Sequence, residues 1–358
     1  MSPLPPPRPS ARFDERDTVL ARMARRPGRA PYEEYYSRRA DLKEIDDRMR
    51  RMPALHRPGG RHYHPEISLE AERLFEAIPE IKPDRDAVEK WKSRLAEAGR
   101  KTPVVKEMVL ELGAVAVGCT ALDQAFVYSH KGRHDADYGR EIRLDHSSAV
   151  VFLVEMDFAA MRRAPKADTL RESARRYYRA AVISKTAAAV LHACGFEAAS
   201  HHDAHYDVIL PPLAMMAGLG ELGRNNILIA HRYGSRVRIG AVTTNMPLEH
   251  DAPAALGADH FCLVCKKCAR NCPARALWPG DKQQVRGVKK WPTDAERCYR
   301  YWRAAGTDCG ICMACCPFSH RNTTFHNFIR GIVRRYPFSH RALRFLDDLF
   351  YGRKWKPS

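Results

Sequence analysis

An α+β fold with a separate cysteine-rich module is what this 358-residue sequence predicts, and three observations carry the prediction. Two runs, the Val-containing Gly113–Cys119 and the Val- and Phe-containing Ala149–Met156, are bounded by turn or polar residues and read as strands. The stretch Thr169–Cys194 carries Leu170, Tyr177, Ala181, Ala188 and Leu191 at helical spacing and stops at Gly195, which reads as one long helix. Nine of the eleven cysteines fall between Cys262 and Cys316.

Taken in chain order, the first hundred residues read as helical and peripheral. The charged stretch 41–51 comes first, and Ser68–Ile78 and Asp86–Ala98 follow with apolar residues at helical spacing. Gly59, Gly60 and Pro65 punctuate them. From about Val104 the character changes to α/β, and Val208–Leu210 and Arg236–Thr243 read as further strands. In the second of these, Val237, Ile239 and Ala241 alternate against Arg236, Arg238 and Gly240. The cysteine module spans about His260 to His320, with a polar connection over Asp281–Thr293. These shifts divide the chain into a helical region 1–103, an α/β core 104–255, a cysteine module 256–325 and a basic segment 326–358.

Hydrophobic residues make up 45% of the chain, enough for a sizeable core. The most apolar run, Ala149–Met161, is broken by Glu155 and Asp157 and falls short of the roughly 20 residues a membrane-crossing helix needs. The Pro-rich Met1–Pro9 and the charged Arg12–Asp17 hold no signal-peptide core, and Arg25-Arg26 runs into Pro27, Gly28 and Arg29 rather than an apolar stretch. A cytoplasmic protein without a membrane span is expected. A net charge of +18 suggests an anionic partner: nucleic acid, an acidic electron donor, or an anionic substrate or cofactor. An Arg-rich composition without such a partner reads equally well. The tail from Arg321 interleaves Phe325, Phe328, Tyr336, Phe338, Phe345, Phe350, Tyr351 and Trp355 with basic residues. That pattern fits RNA contact, but more commonly it is an amphipathic segment with its aromatics packed inward.

The cysteines form two runs, each ending in Cys-Pro. The first is Cys262-x2-Cys265-x2-Cys268-x3-Cys272-Pro273, and the second is Cys298-x10-Cys309-x2-Cys312-x3-Cys316-Pro317. Spacings of two let successive thiolates wrap one iron–sulfur cube, and the cysteine before proline is displaced towards a second cube. By that logic Cys262, Cys265, Cys268 and Cys316 hold one 4Fe–4S cluster, and Cys298, Cys309, Cys312 and Cys272 hold the other. A four-cysteine zinc site is the alternative, but it leaves four cysteines and both Cys-Pro pairs without a purpose. Cys315 could replace Cys316, which is preferred because it precedes proline; Cys119 and Cys194 read as buried small hydrophobes. Two clusters make a relay, and a ferredoxin needs only a fraction of this length, so the remainder is expected to use the electrons.

Between the strands and the cysteines lies Pro211-Pro212-Leu-Ala-Met-Met-Ala-Gly218-Leu219-Gly220-Glu221-Leu222-Gly223-Arg224-Asn225. Its glycines permit a tight turn and close backbone approach, either to a large ligand or in a packing turn. No acidic residue about 20 positions on supports a dinucleotide fold. The string Ala217–Asn225, then Tyr233-Gly-Ser-Arg-Val-Arg-Ile-Gly-Ala-Val-Thr-Thr244, then the two cysteine runs, resembles the corrinoid-dependent reductive dehalogenases. The epoxyqueuosine reductases are similar relatives. Segments near both ends, Asp14–Met23, Tyr32–Tyr36 and Phe350–Gly352, resemble dehalogenase sequence too.

The resemblance implies a nitroreductase-like core that binds cobalamin without a protein ligand to cobalt. Met215, Gly218, Leu219, Gly220, Gly223, Arg224, Leu228, Gly234 and Ser235 would contact the corrin and its tail. It further implies that electrons pass through both clusters to cobalt and reduce an organohalide, aromatic in many relatives. The sequence shows no export leader and no fused flavin reductase, which points to a separate ferredoxin or flavodoxin-type donor. It also lacks the long C-terminal extension of epoxyqueuosine reductases. A family tyrosine that protonates carbon matches Tyr177, with Tyr178 as competitor, and its neighbouring cation matches Arg238. His205 stands where many dehalogenases carry asparagine and could itself exchange a proton. Adjacent His201 and His202 are not expected to converge on one metal ion. Two alternatives stand beside the dehalogenase reading: a cobalamin-dependent reductase of another substrate, such as epoxyqueuosine in tRNA, and a two-cluster electron-transfer protein without corrinoid.

Overall fold

The computed structural model describes residues 8–203 and 205–357. Most of the Pro-rich opening stretch lies outside the described residues. Six helices come first: α1 (Val19–Ala24), α2 (Ala30–Arg38), α3 (Ala40–Arg50), α4 (Pro65–Ala77), α5 (Arg85–Glu97) and α6 (Lys101–Glu111). The core follows with β1 (Ala116–Ala121), β2 (Ser148–Glu155), α7 (Phe158–Arg162), α8 (Ala167–Ala193), β3 (Ala198–His201), α9 (Leu210–Met216), β4 (Gly220–Leu222), β5 (Leu228–Ala230) and β6 (Val237–Thr244). The cysteine region holds α10 (Ala258–Cys265), α11 (Lys267–Asn271), β7 (Gln283–Val285), β8 (Val288–Lys290), α12 (Ala295–Ala305) and α13 (Ile311–Ala314). Two last helices, α14 (Thr324–Arg335) and α15 (His340–Tyr351), end the chain.

The main sheet is antiparallel throughout, in the order β1-β2-β6-β3. Its central strand β2 is apolar at nearly every position because both of its faces are covered. Val150, Phe152 and Val154 pack with Ala180, Ile183, Ala187 and Leu191 of α8. The alternate residues Ala149, Val151 and Leu153 pack with Leu213, Ala214 and Met215 of α9. Each large side chain buried this way contributes roughly 1.5–3 kcal/mol relative to exposure. Gly240 of β6 lies opposite Phe152, and a Cβ there would come 2.4 Å from the ring.

The period of two in β6 also decides where Arg238 goes. Val242 shares its face and belongs to the α8 cluster, whereas Val237 and Ala241 belong to the α9 cluster. Arg238 therefore points beneath α8 instead of into solvent. Val208–Leu210 is not a strand: Val208 makes a single bridge to Val127, and Leu210 already starts α9. Pro211 and Pro212 occupy the first turn of that helix, where the missing N–H groups cost nothing.

Buried arginines join the core to the cysteine region. Arg224 donates to the carbonyls of Cys262, Trp278 and Gly280, and Arg236 donates to Ser319 O and Met156 O. Gly234, at φ +56°, lies so close to Phe318 that a Cβ would stand 2.3 Å from its carbonyl carbon. The N-terminal helices are clasped to α12. Arg61 N donates to Ala304 O, His62 N donates to Ala305 O, and Arg303 donates to the carbonyls of Met52 and Pro53. Among the described residues no helix is long and apolar enough to cross a membrane.

Candidate active site

Local geometry aims the cysteines. Lys266 takes a left-handed conformation (φ +55°) between α10 and α11, so the chain doubles back and Cys265 and Cys268 face one centre. Cys262, Cys265, Cys268 and Cys316 line one small cavity with Arg224, Asn225 and Phe318. Cys272, Cys298, Cys309 and Cys312 are mutual electrostatic neighbours in a second group. The cysteine before each proline thus lies with the other run's group. Burial pushes these thiols up, so ionised sulfurs need positive charge and hydrogen-bond donors beside them. Donors are present: Lys267 N to Cys265, Ile311 N to Cys309, and Ala276 N to Cys272 at 3.3 Å. Among the described residues no three His, Cys, Asp or Glu side chains stand where a single metal ion could bind them. A cube holds its four thiolates further apart than one ion does.

A pocket of about 320 Å3 opens between α8 and the second quartet. Its lining includes Tyr177, His205, Arg133, Asp203, Trp302 and Asp308, roofed by Leu20, Leu55, His56 and Phe75 from the N-terminal helices. Trp302 also hydrogen-bonds the Cys298 sulfur, and Asp308 immediately precedes Cys309, so the pocket and the quartet share a wall. Arg238 stacks on the Tyr177 ring with Cζ 4.5 Å from its centre, donates to Ser173 Oγ at 2.6 Å and pairs with Asp308 at 3.2 Å. Burial raises the Tyr177 phenol above its ordinary 10, and Arg238 pulls it partly back. The ring is therefore a neutral O–H at physiological pH. His205 stacks on His134 at 4.9 Å, and burial lowers it below its ordinary value, which leaves it uncharged. Tyr178 does not line the pocket.

His201 is committed elsewhere. Asp207 N donates to its Nδ1 at 3.2 Å, so its Nε2–H donates to Thr243 Oγ1 at 2.8 Å. Burial holds both His201 and His202 at about 4. The sign follows directly: both are neutral in the fold above pH 6.5, and the stability this gives is lost as pH falls from 6.5 towards 4. Each shift corresponds to roughly 3 kcal/mol. Melting temperature recorded from pH 7.5 to 4 is expected to drop steeply across that window, and His201→Gln is expected to flatten the drop. An unchanged acid profile in the variant would rule His201 out as a source of it.

The close approach that the glycine string permits is made by the protein's own chain. A Cβ at Gly218 would stand 2.6 Å from Ala252 O, one at Gly220 would stand 2.3 Å from Ile229 O, and one at Gly223 would stand 2.8 Å from Asn225 Oδ1. Leu219 and Leu228 are buried in the α9 cluster, and Ser235 donates from its amide to Ser319 Oγ. Arg224 faces the first cysteine quartet. Met215 and Gly223 border an open groove of about 670 Å3, rimmed by Lys282, Lys289 and Lys290, where the buried Trp291 Nε1 has no partner.

Several pocket residues escaped sequence reasoning. Arg133, His134 and Asp203 come from irregular segments with no periodicity to mark them. Ser173 and Asp308 had a signal: Ser173 lies one helical turn before Tyr177, and Asp308 abuts a cysteine.

The chain is similar to the reductive dehalogenases, with further similarity to epoxyqueuosine reductases. A family model described as a 4Fe-4S dicluster domain matches residues 261–320. Among curated proteins, the chain is 29% identical over 314 residues to a tetrachloroethene reductive dehalogenase of Desulfitobacterium hafniense, covering 74% of this chain and 56% of that protein. An epoxyqueuosine reductase of Lactococcus garvieae is 29% identical over 120 residues, 32% of this chain and 33% of that one. The chain thus spans little more than half the length of the first of these relatives. Among solved structures, the catabolic reductive dehalogenase NpRdhA in complex with 3-bromo-4-hydroxybenzoic acid superposes with a TM-score of 0.75 at 23% identity, over 98% of this chain and 48% of that one. A reductive dehalogenase structure described as suggesting a mechanism for B12-dependent dehalogenation gives 0.73 at 25% identity, over 99% and 49%.

Proposed function

We propose that this chain reduces a carbon–halogen bond of an organohalide, with an aromatic substrate as the leading class, using a corrinoid and electrons relayed by two 4Fe–4S clusters. One observation supports the reading: Tyr177, with Arg238 over its ring, lines a pocket together with Trp302 and Asp308, which adjoin the second cysteine quartet. Electrons arriving through the thiolate side and a proton held on the phenol thus meet in one cavity. The residues fit a polar, amide-edged cofactor, because Arg238 Nε and Asp308 Oδ1 are buried there without hydrogen-bond partners. Tyr177, His205, Trp302 and Asp308 would line its site, with Arg238 beside Tyr177, whereas Met215 and Gly223 border a separate groove. The bound corrinoid would supply a low-potential metal with an open coordination face.

The chain's own residues do the rest. The net change is R–X plus two electrons and one proton giving R–H and halide. Tyr177 holds the proton at Oη, and Arg238 over the ring stabilises the phenolate left behind. Leu20, Leu55, Phe75 and Leu170 make the pocket wall apolar and exclude water.

The test is metal content after anaerobic expression with cobalamin supplied, followed by halide release under reducing conditions. About one cobalt and about eight iron per chain are expected, four per cube. Eight iron without cobalt would overturn the corrinoid reading and leave an electron carrier. The charge of +18 favours a second reading, reduction of a modified nucleoside in tRNA. That reading requires tRNA binding whose affinity falls steeply with salt.

A further inference from the structure

The basic C-terminal segment packs Trp355 inward against Ala164 and Ile311 but leaves most of its phenylalanines outward. Phe325, Phe328, Phe345, Leu349 and Phe350 on the amphipathic pair α14 and α15, and Phe338 in the turn between them, are between 60% and 85% exposed. A contiguous apolar face of this kind on a polar-rimmed surface marks a contact site. The rim is cationic: Arg334, Arg335, Arg341 and Arg344 make no ion pair among the described residues. The two acids of α15, Asp347 and Asp348, are turned inward to Lys267 and Arg270.

The inner side of the same helices belongs to the first cysteine quartet. Val333 of α14 and Leu343 of α15 pack in one apolar cluster with Cys262, Cys265, Cys316, Phe261 and Phe318. The small apolar pocket between the helices has Phe261, Pro317 and Phe318 as its floor, residues adjoining Cys262 and Cys316 in the chain. The exposed phenylalanines therefore stand about one helix diameter, roughly 10 Å, from the quartet.

We propose that the face formed by α14 and α15 docks an acidic electron-carrier protein, which delivers electrons to the first cluster; this rests on the relay reading above. The carrier's carboxylates meet the arginine rim, and its own apolar patch covers the phenylalanines. In each encounter one electron leaves the carrier's reduced group and enters the first cluster, so the carrier is oxidised by one and the cluster reduced by one. A second copy of this chain is disfavoured as occupant, because the same face would bring the same unpaired arginines against each other. A membrane would use the arginines and phenylalanines but has no use for the position over the quartet.

The experiment uses the full chain with its clusters reconstituted, and a pre-reduced acidic 2Fe–2S ferredoxin as probe. Stopped-flow absorbance follows oxidation of the ferredoxin at several salt concentrations. Two surface variants are compared with the parent: the triple change Phe328→Ser, Phe338→Ser, Phe345→Ser, and the pair Arg334→Glu, Arg341→Glu. The parent rate is expected to fall steeply as salt rises, and both variants are expected to lose at least tenfold. Their cluster reduction by dithionite, which needs no docking, is expected to match the parent. Parent-like rates with ferredoxin in both variants would overturn the proposal. So would unchanged ferredoxin rates accompanied by lost binding to anionic phosphatidylglycerol vesicles, or by conversion from dimer to monomer in sedimentation. A parent chain that binds no iron fails differently: it removes the relay reading and this proposal with it.

Discussion

Tyr177→Phe is expected to lower halide release by about 10²–10⁴-fold, the usual worth of a positioned general acid, while cobalt and iron content stay at parental levels. The phenylalanine keeps the ring under Arg238 and removes only the O–H, so packing changes little. Tyr178→Phe is the control, since that side chain does not line the pocket, and it should retain activity. Arg238→Met should also slow turnover, because the phenolate would then form in a buried site without its cation. That variant leaves Asp308 short of a partner as well, so its effect includes a folding component. Burial keeps the phenol protonated above its ordinary 10, so the donor is not lost on the alkaline side between pH 7 and 9. Full activity in Tyr177→Phe would remove the tyrosine from the mechanism.

The second large effect separates two adjacent cysteines. Cys316→Ser is expected to reduce iron from about eight to about four per chain, whereas Cys315→Ser should leave about eight. The Cys316 sulfur receives hydrogen bonds from Phe318 N, Ser319 and Ser235, which favour the thiolate. Cys316 also lines the cavity with Cys262, Cys265 and Cys268, and Cys315 does not. The Cys315 sulfur instead lies 4.0 Å from Cys312 O, with burial raising its thiol. Iron analysis and the visible absorption of each reconstituted variant decide the matter. Loss of iron from Cys315→Ser with retention in Cys316→Ser would exchange the two assignments.

The cysteine quartets were the most legible part of the chain because their geometry is set by spacings of two and three residues. Strand β2 was legible for a related reason: burial on both faces leaves an apolar run that needs no partner to recognise. Arg238 shows where such reading stops. Alternation says that it shares a face with Arg236 and Gly240 but not that α8 covers that face, since the covering helix lies about 60 residues away. The pocket was legible only at Tyr177 and His205, with Arg238 beside the first. Arg133, His134 and Asp203 reach it from loops, where no period marks direction. The tail misled in the opposite sense. Its amphipathic pattern is real, but the apolar side that a monomer would bury lies outside.

The clasp between the N-terminal helices and α12 has a consequence for the order in which the pocket can be completed. Arg303 meets the carbonyl of Pro53 across 250 residues of chain, two residues before Leu55 of the roof. During synthesis residues 1–103 emerge long before α12, so the Leu55–His56 side of the roof cannot be clasped until α12 has appeared. Contacts this distant in sequence are among the last to reward their loop-closure cost. The walls on α8 can therefore form before the Leu55–His56 side of the roof is fastened.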